Sequence, residues 1–231
     1  MRRRMMMGRG LPYDAEIEYI ESTGTQYINL LKTINSATDN IVVEFMLTKI
    51  PTNTRGFFGA RLGASAKNFS IGLASSSYIF ADVNNTTYSS YRATAGQNGI
   101  NKRCVVNLSR SERKITINGM VTSRNTTVIP SDFETNIAYL FAINGLSDIG
   151  EKARFYSLEW KRNNQMYINL ISVRVGQVGY LYDKVSGELF GNAGTGAFII
   201  GPDKMGGVIK WLIINTLHGL SNPSLEERRV V

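Results

Sequence analysis

Residues 153–203 read ARFYSLEWKRNNQMYINLISVRVGQVGYLYDKVSGELFGNAGTGAFIIGPD. Four runs rich in aromatic and β-branched residues follow one another here: Ala153 to Lys161, Met166 to Val173, Gly179 to Asp183 and Gly196 to Ile200. Such residues suit the pleated, half-buried surface of a sheet, while the Gly, Asn and Ser between the runs supply turns. The stretch therefore predicts short strands joined by tight connections, the pattern of a sandwich or barrel.

The same pattern extends upstream. Ile17 to Leu31 alternates and pauses at Ser22-Thr23-Gly24-Thr25, as two strand fragments around a turn would, and Ile41 to Leu47 is a β-branched, aromatic run ended by Pro51. Further runs follow at Gly56 to Leu62, Asn68 to Leu73, Ser77 to Val83, Arg103 to Ser109, Lys114 to Ile117 and Ile137 to Ile143. Asn118-Gly119, set between Ile115-Thr116-Ile117 and Met120-Val121, predicts a type I′ hairpin turn. No helical period shows before residue 205. Beyond it, Val208, Trp211, Leu212, Asn215 and Leu217 fall on one side of a candidate helix ended by Gly219 and Pro223.

Composition narrows the chemistry. With one Cys (Cys104) and one His (His218) in 231 residues, an internal disulfide, a Cys- or His-rich metal site and a Ser-His-Asp triad within the strand-rich region are all excluded. No cofactor is expected. Cys104, in a valine-rich run, reads as a small buried residue, and His218 as a packing or capping residue. The net charge of +8 is unevenly spread: residues 1–10, MRRRMMMGRG, hold four Arg and no acid. Met5-Met6-Met7 is too short for the apolar core of about 7 to 15 residues that an export signal needs. Val208 to Leu220 falls short of the roughly 20 residues of a membrane span. The remaining basic residues lie scattered over a sandwich expected to need none of them to fold.

Residues at both ends of the strand-rich region resemble one family. EYIESTGTQYINL (18–30) looks like the opening of a concanavalin A-like, laminin-G-like jelly-roll module usually written YIESTGTQYIDTG, and residues 153–203 resemble its closing "GLYDKVSGxxxxNxGTGxFxxGP" segment. NIAYLFAIN (136–144) resembles its "IYLFAxN" strand, and FFGAR (57–61) fits as well. Asn29 stands where the family has Asp, Glu159-Trp160 where it tends to Lys-Ile, and Ile171-Ser172 where it tends to Ile-Pro. The resemblance implies an all-β, antiparallel jelly-roll sandwich over residues 16–203, between a basic arm (1–15) and a C-terminal, partly helical extension (204–231). It also implies a setting: such modules occur in structural proteins of tailed phages and prophages, notably of gut Bacteroidales.

The expected function is thus that of a non-enzymatic structural or accessory protein of a phage virion, head or tail, assembling with itself or with other virion proteins. Arg2, Arg3, Arg4 and Arg9 would meet acidic protein surfaces or packaged DNA, and Val208, Trp211, Leu212 and Ile213 would bury against a neighbour. The alternative is a carbohydrate-binding module for attachment to a host surface. Tyr78, Tyr88 and Tyr91 are its candidate glycan contacts, and Tyr180, Tyr182 and Trp160 could join them or simply fill the core.

Three further motifs have competing readings. Glu16, Glu18 and Glu21 mimic the E-x-D-x-x-E carboxylates of laminarinase-type glucanases, but in a regular strand Glu21 would point away from the other two, and only a bulge would return it. A solvated acidic edge is the expectation. Gly191 to Gly196 lacks the Lys-Ser/Thr and the helix of a phosphate loop, so its glycines read as turn positions that set the register of the last strand. Arg110, Arg113, Lys114 and Arg124 flank the Asn118-Gly119 turn as either a solvated, aggregation-guarding edge or a positive patch for an acidic protein or nucleic acid.

Overall fold

Every second side chain from Asp39 to Leu47 is buried, and the intervening ones are partly or fully exposed. That alternation places Ile41, Val43, Phe45 and Leu47 on one face of a strand, against a second layer. The computed structural model describes residues 10–63, 67–74, 78–84, 90–92, 99–125, 131–145 and 151–204. Among these residues there is no helix, and the strands in chain order are β1 (Ala15–Glu16), β2 (Ile20–Ser22), β3 (Ile28–Asn35), β4 (Asp39–Leu47), β5 (Arg55–Ala60), β6 (Asn68–Ala74), β7 (Tyr78–Asn84), β8 (Ser90–Arg92), β9 (Cys104–Ser109), β10 (Arg113–Ile117), β11 (Met120–Asn125), β12 (Glu134–Leu140), β13 (Ala153–Arg162), β14 (Gln165–Val175), β15 (Val178–Asp183), β16 (Leu189–Phe190) and β17 (Ile199–Ile200).

They form the two antiparallel sheets of the expected sandwich. The larger runs β11-β10-β9-β4-β13-β14-β15-β16, with β1 on β14, β2 on β13 and β17 on β2; the smaller runs β3-β12-β5-β6-β7-β8. The core between them holds Phe45 stacked on Phe57 at 4.2 Å, with Phe141 edge-on to Phe57 and Trp160 edge-on to Phe58. Trp160 is wholly buried, which removes it from the aromatic residues that could face a sugar. The hairpin prediction holds in detail: Asn118 and Gly119 take φ of 50° and 80°, as a type I′ turn requires, and Ile117 pairs with Met120. Cys104 is fully buried, and burial pushes its thiol up to about 12.

Both ends of the described chain belong to the large sheet. Ala15 pairs with Arg174, Ile17 bridges Asp203, and the Lys204 amide donates to the Glu16 carbonyl at 2.8 Å. The Gly191–Gly196 loop clasps the Ser22–Gln26 turn. Ala193 N donates to Tyr27 O, Thr195 N to Thr25 O, and Thr25 Oγ1 to Thr195 O, while Asn192 Oδ1 accepts from both Tyr27 N and Gly194 N. Gly194 is required by contact: a Cβ there would lie 2.1 Å from the Thr25 carbonyl oxygen. The two ends that carry the family resemblance are therefore one contact.

The basic residues depart from expectation. Arg113 is 1% exposed because it alternates with Ile115 and Ile117 toward the core, so it belongs neither to a solvated edge nor to a positive patch. Burial lowers its pKa, and the negative charge of Asp82 opposes that shift. Arg110 pairs with Asp132, and Lys114 is half-buried; of Arg124 only the backbone, opposite Lys114, is described. Nor is the sandwich indifferent to its cations. Arg162 grips the buried Asp39 through two bonds of 2.7 Å and donates to Thr33 O, tying β13 to the β3–β4 corner.

Trp160→Ala should lose about 3–5 kcal/mol of unfolding free energy, and Gly194→Ala about 1–3 kcal/mol through the forced shift at Thr25. Val121→Ala, at an exposed site on β11, should stay within about 0.5 kcal/mol of the parent. Urea denaturation of the three variants measures all of these.

Candidate functional site

The apolar spacing of β13 is irregular. Ala153 and Phe155 are buried two residues apart, Leu158 and Trp160 likewise, but Phe155 and Leu158 are three apart. The pairing with β4 shifts between Phe155 and Ser157, the signature of a bulge. A similar break lies in the first segment, where Ile17 and Ile20 are both buried and the chain bends at Glu18. Together the two irregularities turn Tyr156, Tyr19, Glu18 and Glu21 to the outer side of the large sheet, where Tyr156 is covered to 7% exposure.

There they form a connected group. The Arg103 guanidinium lies 3.1 Å from the Tyr156 ring centroid and its Nη1 donates to Glu44 Oε1 at 2.7 Å. Arg154 lies over the Tyr19 ring at 4.3 Å and donates to Glu21 Oε2 at 2.6 Å, and the two tyrosines meet edge-on at 5.9 Å. The bond to Glu21 raises the pKa of Arg154; desolvation raises that of Tyr156 against the pull of Arg103 and Arg154. Beside them opens a hollow of about 320 Å³ lined by Glu18, Glu44, Arg103, Tyr156, Ser157 and Lys204. It brings carboxylates, cations and the Ser157 hydroxyl to one small space, with Tyr156 in its wall.

Most of the residues nominated from sequence lie elsewhere. Tyr78 is half-buried and packs against the core of the small sheet's end, away from this group. Tyr88 lies outside the described residues, and of Tyr91 only the backbone is described, paired with Ala81. Arg2, Arg3, Arg4, Arg9, Val208, Trp211, Leu212 and Ile213, together with His218 and the candidate helix, also lie outside them. Tyr182 packs edge-on against Tyr13 at 5.0 Å. The glutamates fare differently from the regular-strand expectation, since the bend brings Glu21 to the face that Glu18 occupies; its carboxylate is committed to Arg154. In the Gly191–Gly196 loop only Gly196 takes a positive φ, 74°, and the loop's bonds run to Thr25 and Tyr27 rather than to the last strand.

A second hollow, of about 210 Å³, opens beside the Ser22–Gln26 turn, where the connection from β4 to β5 meets the start of β13. Lys49, Ile50, Pro51, Arg55 and Lys152 line it, and so does Glu151, which is 1% exposed. Glu151 Oε1 accepts the Lys152 amide at 2.9 Å, while Oε2 has no hydrogen-bond partner among the described residues. Burial pushes this carboxyl up to about 8, against the opposing pull of the Lys152 amide, Arg55 and the Lys152 charge. Among the described residues no three His, Cys, Asp or Glu side chains cluster as a metal site would require, and no helix is long and apolar enough to cross a membrane.

No protein-family model matches the chain, and no curated protein matches it in sequence. Solved structures do match in shape. A putative carbohydrate binding protein from Bacteroides ovatus superposes with a TM-score of 0.55 at 9% identity, covering 83% of this chain and 61% of the other. The chain thus spans about three fifths of that protein. A heptameric SAP-like pentraxin from Limulus polyphemus gives 0.47 at 9% identity over 83% of this chain and 99% of its own, and a Trypanosoma rangeli sialidase 0.39 at 11% over 56% and 21%. The first likeness establishes a shared sandwich fold.

The raised Glu151 carboxyl makes stability depend on pH with a definite sign. The folded chain keeps this proton up to about pH 8, whereas the unfolded chain releases it near the ordinary value of 4.5. Its contribution is complete below the unfolded value, declines as pH rises between the two, by up to about 5 kcal/mol, and is level above. Glu151→Gln should therefore flatten the decline in urea midpoint between pH 5 and pH 8.

Proposed function

We propose that this chain is a non-enzymatic carbohydrate-binding jelly roll whose ligand seat is the outer-face hollow around Tyr156. One observation carries the reading: the Arg103–Glu44 pair beside an aromatic ring. Sugar hydroxyls are donors and acceptors at once, and a guanidinium–carboxylate pair offers both in a fixed plane, held here by the Tyr156 ring under Arg103. Glu18, Ser157 and Lys204 at the rim add further acceptors and donors. The fold shared with a putative carbohydrate binding protein supports the reading.

Catalysis is not part of it, because Glu21 is held by Arg154 and the chain's carboxylates at this face serve as ligand contacts. On a glycan array, the full chain should bind a subset of glycans. Tyr156→Ala and Arg103→Ala should each weaken that binding about tenfold or more, the loss of a 1–3 kcal/mol contact. Polysaccharide hydrolysis that disappears in Glu16→Gln or Glu18→Gln would defeat the non-enzymatic reading.

A second reading places the module on a phage particle as a virion structural or accessory protein. The sequence resemblance suggests it, and one structural observation favours it: the bond from Lys204 N to Glu16 O sets the starts of both flanking segments side by side, so that Arg2, Arg3, Arg4 and Arg9 and the Val208–Ile213 run would reach one neighbour. Removing residues 1–9 and 205–231 leaves every described pairing of Ala15 and Lys204 intact. It should abolish incorporation into particles without unfolding the sandwich; normal incorporation would reject the assignment.

A further inference from the structure

The Glu151 hollow has no part in the site proposed above, and three facts about it point to a ligand. Glu151, which lines it, is 1% exposed and fixed by its own backbone through the bond from Glu151 N to Phe141 O at 2.7 Å, and one buried oxygen of its carboxyl meets no donor among the described residues. A buried polar atom left without a partner costs about 1–3 kcal/mol, which a fitted ligand would recover. Among the described residues the other ionisable side chains lining the hollow are cationic: Lys49, Arg55 and Lys152. A metal ion or an organic amine would be repelled by them. An anion would be drawn in, and it would gain an O–H donor if Glu151 carried its proton. Ile50 and Pro51 add an apolar wall.

We propose that this hollow is a binding site for an organic carboxylate of about the size of one sugar ring, its carboxylate on Glu151 Oε2 and within reach of Lys49, Arg55 and Lys152, its carbon face on Ile50 and Pro51. The contact is an acid–carboxylate hydrogen bond, O–H···O⁻, in which Glu151 donates and the ligand accepts. Ionising Glu151 replaces that bond by repulsion between two carboxylates. A Gln at this position keeps a donor, the amide N–H, at every pH.

Glucuronate is the probe, with glucose as its uncharged match and inorganic phosphate as an anion without a carbon face. Calorimetry on the full chain reads affinity, and the Ile50 methyl resonances report the place of binding. Glucuronate should bind at pH 6 and shift Ile50, and its Kd should rise about tenfold at pH 9, where a carboxyl titrating near 8 is about nine-tenths ionised. Glucose should leave both readouts unchanged. Glu151→Gln should bind at pH 9 as tightly as the parent does at pH 6. Equal binding of glucose or of phosphate, or an affinity in the parent that ignores pH, would overturn the proposal. These comparisons use the unmodified chain, so they stand even if the variant fails to fold, and they read a different place from Tyr156, so the two sites fail or succeed separately.

Discussion

A strand has two edges, and β13 must serve three partners. On one side it pairs with β4 along its whole length; on the other it pairs with β2 from Ala153 to Phe155 and with β14 from Ser157 to Arg162. The bulge at Phe155–Ser157 is where the partner changes. One extra residue there lets Phe155 and Leu158 both point inward, so the core is continuous across the switch, and it leaves Tyr156 packed beneath Arg103 at 7% exposure. The wedge between β13 and β14 admits β1 and β2, and with them come Tyr19, Glu18 and Glu21. The outer-face hollow therefore exists because the sheet has to split to take in its own first strands.

Much of this fold is legible in the sequence because its strands alternate cleanly. Ile41 to Leu47, Asn68 to Leu73 and the four runs of residues 153–203 stand within a residue or two of observed strands, save that the last shortens to Ile199–Ile200. The Asn118-Gly119 pair dictates its turn locally. What alternation does not carry is the identity of cross-strand neighbours. Arg103 and Glu44 are 59 positions apart and meet only because β9 lies beside β4. The same limit hid Tyr19 and Tyr156, although the 153, 155, 158, 160 spacing of inward residues does announce a bulge.

Charge misled for a related reason. Arg113 reads as one of four basic residues around a hairpin, yet its place in the alternation with Ile115 and Ile117 puts it inside. Glu151 has no alternation to betray it, since it precedes β13 in a connection. Arg103 pairs with Glu44, Arg154 with Glu21, Arg162 with Asp39, and Arg174 with Asp203 and Asp14. The exposed pairs, Arg103–Glu44 and Arg174–Asp203, contribute little stability individually, whereas Asp39 is buried. Arg103, Arg154 and Arg162 also lie over the rings of Tyr156, Tyr19 and Tyr167 and so fix their orientation.

The seam between Glu16 and Lys204 makes the sandwich a ring of strands cut at a single point. Nothing in the strand order depends on where that cut falls. A chain rejoined across the seam and opened instead at the exposed Gly119, where a Cβ would meet no atom within 4 Å, would keep every strand partner while moving both termini to the far end of the β10–β11 hairpin. The place at which the chain enters and leaves the sandwich is thus a matter of connectivity alone, separable from the architecture it holds.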